Sequence, residues 1–466
     1  MAMGKRKREQ QRSFWVATAD LPLTAGHPFY DRVNQLLDDN GFDAFVEAAC
    51  RGFYAEKLGR PSLAPAVYFR MLLIGYFEGI DSERGIAWRV SDSMALRCFL
   101  GYDLTDQTAD HSTISRNRRL LDLEVHQEVF DWVLGVLAAA GLMDGKTIGV
   151  DATTLEANAA LRSIVRRDTG ESYQAFLTQL AEASGIETPT REDLVRIDKN
   201  RKNKGSNDDW ENPHDPDAKI TKMKDGRTHL AHKAEHAVDM KTGAIVSVTV
   251  QPANRGDTTS LGETLAQAGD SLVEVLANED TSATAKPKAG SGAKVSDKVL
   301  SEIVADKGYH SNAVLLEHAR PGVRTYISEP DRGQRRWTGK SAERDAVYAN
   351  RRRIRGERGK RLMKKRGELI ERSFAHCYDT GGMRRTHLRE HPNILKRVLV
   401  HVAGFNLSLI MRKLMGRGTP RGLQGLGARL IARILVHWAL LKRSVKPPAP
   451  SASRASRKSQ FQLAAA

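Results

Sequence analysis

The chain has 466 residues, 40% of them apolar, with 73 Lys and Arg against 56 Asp and Glu and a formal charge of +17. That length suits two to four structural units with real cores, and the charge excess argues against a small-metabolite enzyme and for a polyanionic partner, a merely basic surface being the alternative. Three scattered cysteines (Cys50, Cys98 and Cys377) with no CxxC pair exclude a disulfide framework or cysteine zinc site and fit a reducing cytosol.

In chain order, residues 1–27 form a basic arm. "GKRKR" is followed by no apolar stretch, so it does not read as a secretory signal. Residues 28–140 read as helical. Phe29, Val33, Leu36 and Leu37 fall at helical spacing, "LAPAVYFRMLLIGYFEGI" suits a central helix, and Asn40-Gly41 and Gly79 are stops. Ser82 and Ser91 start further helices and Gly101 ends one. In "ADHSTISRNRRLL", Asp110 or Ser112 caps a helix carrying Arg116, Arg118 and Arg119 near its start. Short helices ending in such a helix suit a helix-turn-helix-like DNA reader; a solvated helix face is the competing reading.

The pattern then changes. Thr147-Ile148-Gly149-Val150 is a strand-like run ending on Asp151. Residues 160–225 form a helix and loop insertion, with "SYQAFLTQLAEASGI" as a helix and the Asn-, Asp- and Gly-rich remainder as loop. A hairpin follows over 228–251, turning at Asp239–Gly243, and then a helix whose start Asp257 can cap. Residues 279–298 are a low-complexity linker. Ile303-Val304-Ala305 repeats the earlier form, ending on Asp306 with Lys307 placed to meet a phosphate. "NAVLLEHAR" is a helix and "VRTYIS" a strand. Intensely basic helices carry Glu368 and Glu371, and a helix pair broken near Gly404 ends the core at about residue 415. A C-terminal helix over 416–446 and a disordered tail over 447–466 complete the chain.

Two strand-end aspartates in matching settings, with a glutamate on a later helix, give the layout of an RNase H-like α/β core. It would hold a mixed five-stranded sheet with flanking helices behind an all-α N-terminal domain. In that layout the ends of the first and fourth strands are neighbours. Phosphodiester cleavage needs an activated oxygen nucleophile and a stabilised leaving oxygen, which two Mg²⁺ ions about 3.5–4 Å apart supply. Such ions prefer carboxylate oxygen, and Mn²⁺ can substitute.

The segments "SERGIAWRVSDSMALRCFLGYDLTDQTADHSTISRNRRL", "IGVDATTLEAN", "WENPHDPDAKI", "HKAEHAVDMKTGAIVSVTVQPANRGDTTSL", "IVADKGYHSN" and "RGELIERSFAHCYDTGGMRRTHLR" together resemble the bacterial insertion-sequence transposases of the DDE superfamily. The resemblance spans most of residues 28–415 and implies a triad of Asp151, Asp306 and Glu371, with Glu368 as alternative third acid. Arg366 falls near an arginine of the family motif. Cys377 stands where a basic residue is common, which leaves that role to Arg384, to Arg385 or to none. The resemblance further implies binding to terminal inverted repeats and target DNA as a homodimer, and cleavage and joining of the ends. A nuclease of the same fold and a catalytically inactive DNA-binding regulator are the alternatives. No run of about 18 apolar residues suggests a membrane span, and no GxxxxGK[ST] suggests a nucleotide cofactor, so a cytoplasmic, nucleoid-associated protein is expected.

His229, His232 and His236 read better as surface or DNA-contacting histidines than as a zinc set. Trp210 reads as a loop anchor, with base stacking as the alternative. Asp239 and Asp257 read as turn and cap residues.

Overall fold

In a computed structural model of the chain, residues 27–55, 62–103, 105–201, 205–223, 226–282, 295–296 and 298–423 are described. The expected basic arm, most of the 279–298 linker, and nearly all of the expected C-terminal helix and tail lie outside them. Seven helices come first: α1 (Pro28–Asp39), α2 (Phe42–Cys50), α3 (Pro65–Glu78), α4 (Glu83–Asp92), α5 (Met94–Phe99), α6 (His111–Leu120) and α7 (Leu123–Ala139). Their ends follow local chemistry. Gly41 and Gly79 take left-handed conformations at chain reversals, and Ser82, Ser93, Asp110 and Asp122 accept backbone N–H bonds as N-caps. The α5 cap is therefore Ser93 rather than Ser91, because α4 runs on through Asp92. Helix α3 is buried on nearly every side.

The sheet region follows as β1 (Thr147–Glu156), β2 (Val165–Arg166), α8 (Tyr173–Ala183), α9 (Arg191–Asn200), β3 (Trp210–Glu211), β4 (Lys219–Lys222), β5 (Thr228–Asp239), β6 (Ile245–Pro252) and α10 (Asp257–Ser282). It continues as β7 (Glu302–Ala305), α11 (Asn312–Ala319), β8 (Arg324–Ile327), α12 (Ser341–Arg355), α13 (Glu357–Phe374), a π-helical turn (Ala375–Thr380) and α14 (His391–Met415). These elements lie within one compact unit.

The main sheet runs β6-β5-β1-β7-β8, with β5 antiparallel to β1 and β6, and β7 and β8 parallel to β1. Helices lie between and beside the strands, so the architecture is the mixed, RNase H-like core. One strand is extra: β4 pairs with the first residues of β5, making the sheet six-stranded. The small β2-β3 pair and α8 share a core around Trp210, Ile164 and Leu230. Helix α9, whose last residues from Asp198 were read as the start of a loop, begins where Thr190 and Asp193 make a reciprocal capping box.

Two other sequence expectations change. Strand β1 does not end at Asp151; antiparallel pairing with β5 carries it on to Glu156. Helix α14 is not broken at Gly404; a Cβ there would stand 2.6 Å from Tyr76 Cδ1, so the glycine admits the α3 ring. Asn406 on α14 both donates to and accepts from the Ile245 backbone, which pins the helix to the edge strand β6. Although α14 is long and apolar enough for a membrane span, it is mostly buried within the fold.

Candidate active site

Sheet pairing brings the two aspartates together. Thr147, Ile148 and Gly149 of β1 align with Glu302, Ile303 and Val304 of β7. Continuing that register two residues sets Asp306 beside Asp151, on the same face by the two-residue side-chain period. Asp151 accepts from Ala152 N at 2.8 Å and from Arg366 Nη1 at 2.6 Å. Burial pushes its carboxyl above the usual range; Arg366 opposes that rise and the nearby Asp306 charge adds to it. The Asp306 Oδ1 atom accepts from Gly308 N at 2.7 Å and caps the turn Lys307–Tyr309. Asp306 is thus a cap through one carboxylate oxygen.

Helix α13 crosses the face that carries both acids. Arg358 bonds Glu302, Arg366 bonds Asp151, and Ser373 bonds His236. Gly149 lies beneath it: a Cβ there would meet Met240 Sδ at 2.4 Å and Ile370 Cδ1 at 3.3 Å. At about 100° per residue, Glu371 points roughly 140° from Arg366 and Glu368 roughly 200°. Both glutamates are exposed; Glu368 pairs with Arg372 at 2.6 Å. Gly367, one turn before Glu371, has nothing within 4 Å of a Cβ position, so this flank is open. Glu371 touches neither aspartate, and among the described residues no three acidic, histidine or cysteine side chains stand close enough to hold an ion.

The donor chemistry nonetheless fits a hard divalent cation. Two carboxylates of like charge sit side by side, and the guanidinium of Arg366 occupies a cation position against Asp151 Oδ2. Asp151 and Asp306 would hold such an ion, and Glu371 would reach it only by turning in from the open flank.

The expected DNA-facing residues divide. Arg116 and Arg119 are exposed on α6, as is Lys307 beside Asp306. Arg118 is not available: it is buried and bonded to Glu83, Ser115 and Asn393. It sits on the last turn of α6, not near its start. Arg366 is committed to Asp151, and Arg384 bonds Asp379 and Thr153. Arg385 remains exposed, 3.8 Å from Glu156. Cys377 is fully buried.

His232 and His236 are buried, not surface residues. His236 hydrogen-bonds Ser373 at 2.9 Å and Tyr378 at 2.6 Å, and burial lowers its pKa to about 3, so it stays neutral. His232 lies 3.3 Å from buried Asp215. Trp210 is buried against Tyr173 and Phe176 as an anchor, which overturns base stacking. Asp239 is buried in the hairpin, accepting from the backbone of Asp144, Gly145 and Lys241.

Lys233 was not singled out from the sequence, and Glu235 only as a neighbour of the three histidines. Lys233 bonds Asp257 at 2.6 Å, and Glu235 is wholly buried. The signal was present: two opposite charges two residues apart in a strand share one face. Asp257 begins α10 and pairs with Lys233, a role beyond that of a cap.

Two family models match the chain: a transposase domain (DUF772) over residues 19–120 and a transposase DDE domain over residues 207–407. The second match contains Asp306 and Glu371, while Asp151 falls between the two. No curated protein matches the chain.

Proposed function

Since the chain belongs to the insertion-sequence transposases of the DDE type, we propose that it binds the terminal inverted repeats of its own element, cuts there and joins the 3′-OH ends to target DNA. The observation that carries this reading is the register-matched pair Asp151 and Asp306. Asp151, Asp306 and Glu371 are its metal ligands, and the metal is Mg²⁺, in a pair of ions. Bound there, Mg²⁺ would activate an oxygen nucleophile and stabilise the leaving oxygen.

The residues of the chain supply placement. Asp151 is fixed mid-strand by its pairing with His236 of β5, just past the last β1–β7 pair at Gly149, and Asp306 by its turn. Arg366 shields Asp151 from Asp306 and must leave Oδ2 when a cation arrives. Lys307, Arg116, Arg119 and Arg385 are exposed cations suited to phosphates. Two ends must be paired, so the active form is a homodimer on DNA.

Cleavage of DNA carrying the flanking ends of the gene tests the reading, with Mg²⁺ and with EDTA. Wild type should cut only with the metal. Asp306→Asn and Glu371→Gln should bind the ends without cutting, while Glu368→Gln should cut. If Glu371→Gln cuts and Glu368→Gln does not, Glu368 is the third acid. Binding without cleavage by wild type would favour the regulator. Cutting without strand joining would favour the nuclease.

A further inference from the structure

On the face of β5 away from α13 lies a charged network that the proposed reaction does not use. Lys233 Nζ, 5% exposed, donates to Asp257 Oδ1 at 2.6 Å and to Ser260 Oγ at 2.9 Å, with Glu235 Oε1 at 3.5 Å. Buried Glu235 accepts from the hydroxyls of Ser260 and Tyr309, each at 2.8 Å, and from Thr264. Burial, with Glu235 close by, raises the pKa of the Tyr309 hydroxyl, so it keeps the proton it donates. This network meets the turn after β7. A Cβ on Gly308 would stand 2.4 Å from Asp257 Oδ2 and 3.1 Å from Asp306 Oδ1, so the two carboxylates press on the same glycine.

We propose that Asp257 is a positioning residue for Asp306, held by Lys233 and acting through the Gly308–Tyr309 turn. The inference rests on the reading of Asp306 as a metal ligand. The turn is anchored three ways: Gly308 N–H on Asp306 Oδ1, Gly308 against Asp257, and the Tyr309 hydroxyl on Glu235. With Oδ1 committed, Asp306 presents Oδ2 to a cation. Asp257 also adds negative charge beside the site without joining it, since Lys233 holds its other oxygen. Carboxylates behind a ligand orient it and strengthen its hold on a metal. The structure also explains why a glycine follows Lys307: any side chain there would strike Asp257.

The test is Mn²⁺ binding by the full-length chain, read from the paramagnetic resonance of the free ion, with a thermal melt for each variant. Asp257→Asn should weaken Mn²⁺ binding about 10-fold. Asp257→Glu should recover part of that loss, which a purely structural role in folding would not require. Gly308→Ala leaves every charge in place and should weaken binding by the same route. Asp306→Asn should abolish the site. If Asp306→Asn loses Mn²⁺ while folded Asp257→Asn and Gly308→Ala bind as wild type does, the positioning role is wrong. If Asp306→Asn binds as wild type does, the metal reading fails and takes the positioning role with it.

Discussion

The sheet and the helix that crosses it contribute acids in opposite ways. Asp151 and Asp306 are set by strand register, and each has a carboxylate oxygen bonded to a backbone N–H. Beneath Asp306 the network of Lys233, Glu235 and Asp257 leaves little freedom. Glu371 rides on α13, exposed and without a contact to either aspartate. What holds α13 in place is its other side, where Arg358, Arg366, Ile370 and Ser373 meet the sheet. The sheet acids are therefore preformed in place, and the helix acid stands apart from them.

The largest expected effect tests the preformed half. If Asp151 holds the ion as proposed, Asp151→Asn should lower end cleavage about 1000-fold or more, since such an ion contributes several kcal/mol, with end binding retained in a mobility-shift assay. Lys233→Met should destabilise the fold by about 3–5 kcal/mol in urea titration, because buried Glu235 is left uncompensated. A loss below about 1 kcal/mol would mean that the sheet side is not held by this network. On the helix side, Glu371→Gln should lower cleavage by at least about 100-fold, roughly 3 kcal/mol or more, which reads as no cutting in the end-cleavage assay. Its stability should change by less than about 0.5 kcal/mol, as suits an exposed residue whose side chain bonds no other among the described residues. A large stability loss would show that Glu371 already has a partner. The smallest effect lies at the seam: Ser373→Ala leaves buried His236 Nδ1 unpaired and should cost about 1–3 kcal/mol.

The same division explains what the sequence could and could not say. The aspartates were readable because a β-branched run stopping at an acid is a local signal. The hairpin over β5 and β6 was readable from alternation. Local signals do not report what covers a strand, so His232 and His236 looked like surface residues although α13, the π turn and α14 bury them. They do not report distant partners either. Arg118 looked free, yet Glu83 and Asn393, 35 and 275 residues away in sequence, claim it. Gly404 looked like a break because its partner, the Tyr76 ring, belongs to α3.

Backbone cutting by Fe²⁺ in place of Mg²⁺ addresses the central claim most directly. With peroxide and ascorbate, a bound Fe²⁺ releases hydroxyl radicals that cut nearby chain, and mass spectrometry maps the cuts. Cuts should cluster around Asp151 and Asp306, with a weaker cut near Glu371, all suppressed by excess Mg²⁺. Cuts elsewhere, or none above the level seen with Asp306→Asn, would contradict it.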